Sequence, residues 1–319
     1  MLQEFLAIVG PTASGKTDLG LRLAREQNGE IISVDSRQVY RYLSIGTAKP
    51  PKTDIPYHLI DFLEPSETFS VADFVKLATE KVSHIQARGK TPIFVGGTGL
   101  YYKALTEGLA PLPPADPDVR NRLQKEAEEK GRAELHKRLV AIDPEAAAKI
   151  PVNNIQRLVR ALEVYELTGK PISEWHKEHR TVPSSGLRLP SPAVTWEKET
   201  RDLPSPSLRE GIRRTGEEKL SLKFVGIDIP RAELIRRIEA RCRTMIQEGM
   251  IEETQALLKQ GAAEDCPGLT GLGYPRIISM LKGTLSKDDC LTLLIQDTCQ
   301  YAKRQMTWFR HQLQVTWKK

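Results

Sequence analysis

The segment Gly10-Pro-Thr-Ala-Ser-Gly-Lys-Thr17 constrains this 319-residue chain more than any other feature. It satisfies G-x-x-x-x-G-K-[ST], a pattern with a physical mechanism. Successive backbone N–H groups form a concave nest for an anion, and the helix that follows directs its positive end at the same point. The flanks agree with this reading. Phe5-Leu-Ala-Ile-Val9 is the short apolar run that a strand buried on both faces requires, and Leu19, Leu21, Leu23 and Ala24 open a helical segment. Gly10, Pro11, Thr12, Ala13, Ser14, Gly15, Lys16 and Thr17 are therefore expected to cradle phosphate oxygens. Lys16 places a point charge on the terminal phosphate, and the Thr17 hydroxyl is placed to hold Mg2+. The loop demands a phosphorylated ligand; it does not by itself demand phosphoryl transfer.

Strands keep alternating with helices through residues 1–115, the first part of the expected core. Glu30–Tyr40 gives a strand ending at Asp35, His58–Pro65 a short extended segment, and Ser70–Gly89 an amphipathic helix stopped by its glycine. Pro92–Val95 is another buried strand, before a glycine turn and a further helix. This alternation predicts an α/β fold of the P-loop NTPase-like kind, a parallel sheet with helices on both faces and ligands at the carboxyl ends of its strands. The phosphate loop, Asp35 and Thr98 all follow strands, so all three are expected to border one crevice.

Residues 116–180 read as a charged helical insertion without a convincing strand. Within it, Ile155–Gly169 is amphipathic, with Ile155, Leu158, Leu162 and Tyr165 on one face and Arg157 and Arg160 elsewhere. Residues 181–219, rich in Pro, Ser, Arg and Glu, predict a long mobile loop. The core resumes over residues 220–319, with a strand in Leu222–Pro230 and long helical segments over Glu233–Gly261 and Lys287–Gln312.

Composition narrows the setting. With 39% hydrophobic and 28% charged residues the chain is an ordinary soluble protein, and 47 Lys+Arg against 41 Asp+Glu permit a nucleic-acid partner without requiring one. No apolar stretch is long enough to span a bilayer. A phosphate loop beginning at Gly10 is expected to leave no room for a removable leader, so a cytoplasmic protein is expected. The four cysteines show no C-x-x-C spacing and read as reduced thiols rather than a zinc site, and the six histidines are scattered.

Beside the loop stand Ser33–Pro50 (SVDSRQVYRYLSIGTAKP), Val95–Leu105 (VGGTGLYYKAL), NNIQRLVRALEVYELTGKP from Asn153, Leu269–Ile277 (LTGLGYPRI) and Tyr301–Arg310 (YAKRQMTWFR). In order and content these phrases resemble the tRNA dimethylallyltransferase family, also called tRNA isopentenyltransferase. The chain departs at Thr181–Lys219, which is longer than the family usually has there, and it lacks the C-terminal zinc finger of eukaryotic relatives; the resemblance is to the bacterial form. It implies that the loop holds the diphosphate of dimethylallyl diphosphate, and that the five-carbon group goes to the N6-amine of the adenosine 3′ to the anticodon of tRNA, with Mg2+ as cofactor. It further implies that Arg237 and Arg241 face the diphosphate. The turn Asp35, Ser36, Arg37 and Gln38, the segment Gln156, Arg157, Leu158, Val159 and Arg160, and Arg120 would touch the tRNA.

The chemistry fits the residue types. An exocyclic amine whose lone pair is delocalised into a purine needs a proton acceptor as the N–C bond forms, and a carboxylate can serve. The resemblance assigns Asp35; from position alone an N-cap, or a carboxylate on the water shell of Mg2+, stays open. Lys16, the loop amides and Mg2+ at Thr17 would stabilise the departing diphosphate. Thr98 is a candidate to hydrogen-bond the target amine or the diphosphate edge, or else an ordinary turn threonine. Arg157 and Arg160 suit phosphate contacts, as do Lys303, Arg304 and Arg310, while Gln38 suits a base edge. Three alternatives compete: a small-molecule kinase, which needs a nucleotide-base site and lid arginines; a prenyltransferase acting on free AMP or ADP; and an RNA-binding protein using the loop as a nucleotide switch. The helical insertion and basic C-terminal half favour an RNA substrate, and a monomer is expected.

Overall fold

The computed structural model describes residues 3–181 and 219–318. The expected mobile loop, apart from its end residues, lies outside the described residues. Two compact units are present, one built from residues 3–108 and 219–318 and the other from residues 109–181.

The first unit opens with β1 (Glu4–Val9), α1 (Lys16–Glu26), β2 (Gly29–Val34), β3 (Tyr57–His58), α2 (Val71–Ala87), β4 (Thr91–Gly96) and α3 (Gly99–Glu107). The second unit consists of α4 (Pro117–Glu129), α5 (Arg132–Ile142), α6 (Pro144–Lys149), α7 (Ile155–Thr168) and α8 (Ile172–Thr181). The chain then returns to the first unit with β5 (Ser221–Ile227), α9 (Arg231–Gln247), α10 (Met250–Lys259), α11 (Tyr274–Leu281), α12 (Lys287–Gln312) and β6 (Val315–Lys318).

Six strands form one parallel sheet in the order β3-β2-β4-β1-β5-β6. Every residue of β2 is buried, as a parallel strand covered on both faces requires. Ile8, Ile31, Ile93 and Val95 pack with Leu21 and Ala24 of α1. The register decides what happens at the carboxyl end. Val9 of β1 pairs with Gly96 of β4, and Gly96 pairs with Val34 of β2. Three adjacent strands therefore release their loops at one level: the phosphate loop, the Gly97-Thr98 turn and the Asp35 turn.

Local signals explain the element ends. Ser70 caps α2 by accepting from the Asp73 N–H at 3.1 Å while Asp73 accepts from the Ser70 N–H at 2.9 Å, and Gly89 follows the helix at φ 68°. Leu59 and Asp61 take φ 61° and 58°, so the extended segment expected over His58–Pro65 ends as a two-residue strand. The long helix expected over Glu233–Gly261 is two helices, because the chain turns at Gly249 with φ 104°. β6 was not expected. Its four residues alternate between half-buried and exposed, too short a run to signal a strand, and Trp317 lies where a Cβ on Gly226 would stand 2.5 Å from its ring. Among the described residues no helix is long and apolar enough to cross a membrane.

The helical unit has its own core, with Leu123, Leu135, Leu139, Leu158 and Leu162 fully buried. Glu163 of α7 is also fully buried. Its carboxylate accepts from the Asp116 N–H at 2.7 Å, Arg120 Nε at 2.9 Å and Arg160 Nη1 at 2.7 Å. A buried carboxylate with three donors, two of them cationic, is a structural clamp whose removal strands its partners. Glu163→Ala is expected to cost about 3–5 kcal/mol, measured as a fall in urea midpoint at unchanged slope; a change below about 1 kcal/mol would contradict the clamp.

Candidate active site

The α/β unit holds a crevice of about 580 Å3 at the carboxyl end of the sheet. Thr12, Lys16 and Thr17 of the phosphate loop, the Asp35–Gln38 turn, Gly46–Ala48, Arg241 and the stretch Gly271–Arg276 all line it, together with Asp297, Tyr301 and Gln305 of α12.

The loop is shaped by left-handed residues, Ala13 at φ 62° and Gly15 at φ 88°, and the second of these is the N-cap of α1. The Ser14 hydroxyl is buried inside the loop with no hydrogen-bond partner among the described residues. Lys16 Nζ donates to the Pro11 carbonyl at 3.3 Å and has no carboxylate at hydrogen-bond distance among the described residues. Its ammonium is pushed down to about 8, first by desolvation, then by the nearby Arg241 guanidinium, with Asp35 opposing. Arg241 is pushed down from the usual arginine range as well, by burial first, and makes no ion pair among the described residues. Two half-buried cations facing one crevice, with no ion pair among the described residues, are an anion site in search of its anion. Arg237 differs. Its guanidinium lies beside the loop, 3.9 Å from where a Cβ on Gly15 would stand, but is exposed and held by Glu233 at 2.9 Å.

Asp35 uses one oxygen structurally. Oδ1 accepts from the Arg37 N–H at 2.8 Å and the Gln38 N–H at 3.3 Å, the turn-capping role that position alone left open. Oδ2 has no hydrogen-bond partner among the described residues, and the carboxylate borders the crevice. Thr98 ties two loops together: its N–H donates to the Val34 carbonyl at 3.1 Å, and its Oγ1 accepts from the Ser36 N–H at 3.2 Å. Close approach explains the neighbouring glycines, since a Cβ on Gly96 would lie 2.1 Å from the Val34 carbonyl oxygen and one on Gly97 2.2 Å from Gln305 Nε2.

Several expected RNA contacts have internal partners instead. Arg37 donates to the Pro267 carbonyl at 2.7 Å and to Thr270 Oγ1 at 3.0 Å. The Gln38 amide does not present a base-reading edge: Nε2 donates to the Ala48 carbonyl at 3.0 Å and the Thr47 carbonyl at 3.3 Å, and Oε1 accepts from Ser33 Oγ at 3.0 Å. In the helical unit Leu158 and Val159 are 0% and 3% exposed, so these two cannot offer side chains to RNA; they belong to the inward face of α7. Arg120 and Arg160 are engaged by Glu163. Gln156 and Arg157 are exposed, and Arg157 has no ion-pair partner among the described residues.

Sequence reasoning missed the residues that join these pieces. Gln305 Oε1 accepts from the Thr12 N–H at 2.9 Å, and its Nε2 donates to the Gly97 carbonyl at 2.9 Å, fixing the phosphate loop against the glycine turn. Gln305 lies within the YAKRQMTWFR phrase; a glutamine on an otherwise inward-facing position was the available signal. Arg276 pairs with Asp297 at 2.9 Å on the crevice wall. Tyr301 is pushed up to about 12 by burial and by Asp35.

Comparison with known proteins came out consistently. The "IPP transferase" family model matches residues 38–312, and an "Isopentenyl transferase" model matches residues 3–58. A tRNA dimethylallyltransferase of Roseiflexus is 43% identical, covering 96% of this chain and 89% of the relative. That of Geobacter sulfurreducens is 40% identical, covering 98% and 91%. The crystal structure of the tRNA isopentenylpyrophosphate transferase of Bacillus halodurans superposes with a TM-score of 0.64 at 37% identity, covering 99% of this chain and 89% of that one.

The Lys16 environment generates a measurable pH dependence. A diphosphate favours the charged ammonium, so Lys16 must titrate higher when the anion is bound than the value near 8 of the free protein. At pH 7 the ammonium is already charged and takes up almost nothing. At pH 9 binding draws in up to about one proton, and affinity falls up to about tenfold per pH unit above 8. Calorimetric titration with dimethylallyl diphosphate in buffers of different ionisation enthalpy reads that proton directly; equal uptake at the two pH values would contradict the assignment.

Proposed function

The chain belongs to the IPP transferase family and transfers a dimethylallyl group to tRNA, and from that premise we propose how its residues divide the work. The acceptor is the N6-amine of the adenosine 3′-adjacent to the anticodon. The new bond joins N6 to C1 of the dimethylallyl group as the C1–O bond breaks. The electron pair leaves with the diphosphate, and the amine proton goes to Asp35.

The observation that carries this reading is the pairing of an unneutralised cationic site with a half-free carboxylate in one crevice. Among the described residues neither Lys16 nor Arg241 has a carboxylate at ion-pair distance, which suits a diphosphate whose negative charge grows as it departs. Asp35 lines the crevice and keeps Oδ1 in its turn, with Oδ2 unpartnered among the described residues, which suits a base fixed in orientation. Arg237 adds a cation at the rim of the loop. Thr98 steadies the Asp35 turn through Ser36.

A metal fits the same place. The Thr17 hydroxyl is the kind of sparse oxygen donor that Mg2+ accepts when water and substrate phosphate complete its shell, and among the described residues no cluster of three or more His, Cys, Asp or Glu could hold an ion alone. When bound, Mg2+ would neutralise charge on the leaving diphosphate. Lys16, Arg241 and the loop amides orient and stabilise that group from the protein side.

The adenosine must leave its stack to reach the crevice, at a cost on the order of a few kcal/mol. Contacts to the anticodon stem-loop supply it. Arg157 and Gln156 are exposed on α7, and Arg120 and Arg160 keep partly exposed guanidiniums beside Glu163. On α12 a groove of about 540 Å3 exposes Lys303, Arg304 and Trp308, a basic and aromatic combination suited to an RNA backbone and a stacked base. Arg310 is partly neutralised by Asp228 at 3.1 Å. The partners are thus tRNA and dimethylallyl diphosphate, handled by a cytoplasmic monomer.

Labelled dimethylallyl diphosphate with Mg2+ and unmodified tRNA, free AMP or ATP separates the possible acceptors. Label in tRNA supports the reading; label in AMP alone, or phosphate release from ATP without prenyl transfer, contradicts it. Asp35→Asn, which keeps an oxygen for the turn, is expected to retain binding of both substrates and lose about 100- to 10,000-fold in single-turnover rate. Undiminished turnover would remove Asp35 from the role of base.

A further inference from the structure

The Asp35 turn is connected by hydrogen bonds to a carboxylate that does not itself line the crevice. Glu253 lies in the first turn of α10. Its Oε2 accepts from the Ser44 N–H at 2.7 Å and the Ile45 N–H at 2.8 Å. Its Oε1 accepts from the Gly46 N–H at 3.2 Å and the Tyr274 hydroxyl at 2.9 Å. One rigid anion thus gathers three consecutive backbone amides and a phenol, and such charge-assisted bonds are the strong ones. Gly46 has to be glycine for this packing, since a Cβ there would lie 2.4 Å from the Tyr274 hydroxyl oxygen.

What the carboxylate holds is a crevice wall. Residues Gly46, Thr47 and Ala48 line the crevice on one side of this clamp, and Tyr274 lines it on the other. The wall is then joined to the base. Gln38 Nε2 donates to the Thr47 and Ala48 carbonyls, and the Gln38 N–H donates to Asp35 Oδ1 at 3.3 Å. A continuous path runs from Glu253 through the 44–48 loop and Gln38 to one oxygen of Asp35. Asp35 Oδ1 also keeps the Arg37 N–H at 2.8 Å, so losing the far end of the path loosens the loop and the Gln38 half of the hold on the carboxylate.

We infer that Glu253 is a positioning residue for the reaction: through the 44–48 loop and Gln38 it fixes the direction in which Asp35 presents its free oxygen. This rests on the reading of Asp35 as proton acceptor. A group acting this way affects the rate only while there is a base to aim, whereas a carboxylate that merely stabilises the fold lowers every rate alike. A double-mutant cycle separates the two.

Glu253→Gln replaces one acceptor oxygen with a donor facing N–H or O–H groups. It is expected to lower the single-turnover rate about 10- to 100-fold, the scale of a small misplacement of a reacting group, with dimethylallyl diphosphate affinity kept within about twofold. In an Asp35→Asn background the same substitution is expected to change the residual rate by less than about twofold. An equal fractional loss in both backgrounds, or no loss where Asp35 is intact, overturns the inference alone. Full turnover by Asp35→Asn by itself removes the base and the inference together. If Glu253→Gln does not fold, Gln38→Met cuts the path at its middle and is put through the same cycle with the same outcomes. Tyr274→Phe, which removes one of four donors, is expected to reproduce the rate loss in smaller measure, and its full additivity with Asp35→Asn also counts against the path.

Discussion

The register of three neighbouring strands underlies everything else in the α/β unit. Val9, Gly96 and Val34 stand abreast, so the chain leaves the sheet three times at one height and within two strand spacings. A shift of one residue in any of these ladders would move that strand's side chains to the opposite face of the sheet and carry its loop away from the others. Gly96, at the centre, accepts this crowding because it has no side chain to meet the Val34 backbone. The phosphate grip, the carboxylate and the threonine that steadies the Asp35 turn are thereby neighbours by construction, whatever the loops themselves contain.

Electrostatics then separates structural cations from functional ones. In the helical unit Arg120 and Arg160 share a fully buried Glu163, and the positive charge is answered inside the protein. At the crevice Lys16 and Arg241 have no such ion pair among the described residues, and each is made less basic by burial. The same residue types therefore carry opposite meanings in the two units. An arginine with a buried carboxylate at hydrogen-bond distance belongs to the fold; one left half-buried and alone belongs to a ligand.

This contrast also marks how far the chain could be understood before its structure. The phosphate loop was legible from its glycine pattern and the apolar run before it, and the place of Asp35 from the end of its strand, whereas Arg241 was reached only through the family resemblance, which named the exposed Arg237 beside it. The Gln305 bridge to Thr12 and the Glu253 clamp on Ser44–Gly46 were not legible, since each joins segments far apart in sequence and neither has a local pattern. Leu158 and Val159 were misread for a related reason. A contiguous phrase on a helix includes residues from every side of it, and only some of those sides face out. The break at Gly249 was visible as a glycine but outweighed by the helical pattern on both sides, and β6 is an edge strand too short to be periodic.

Gln305 has a further consequence, one of timing. The first functional motif of the chain is among its earliest residues, yet the side chain that seats Thr12 against Gly97 is close to the last helix's end. During synthesis, when domains fold as units as they emerge, the cradle has to wait for a residue 293 positions downstream to leave the ribosome before its final contact exists. Any fragment that stops short of α12 lacks the piece that completes its grip.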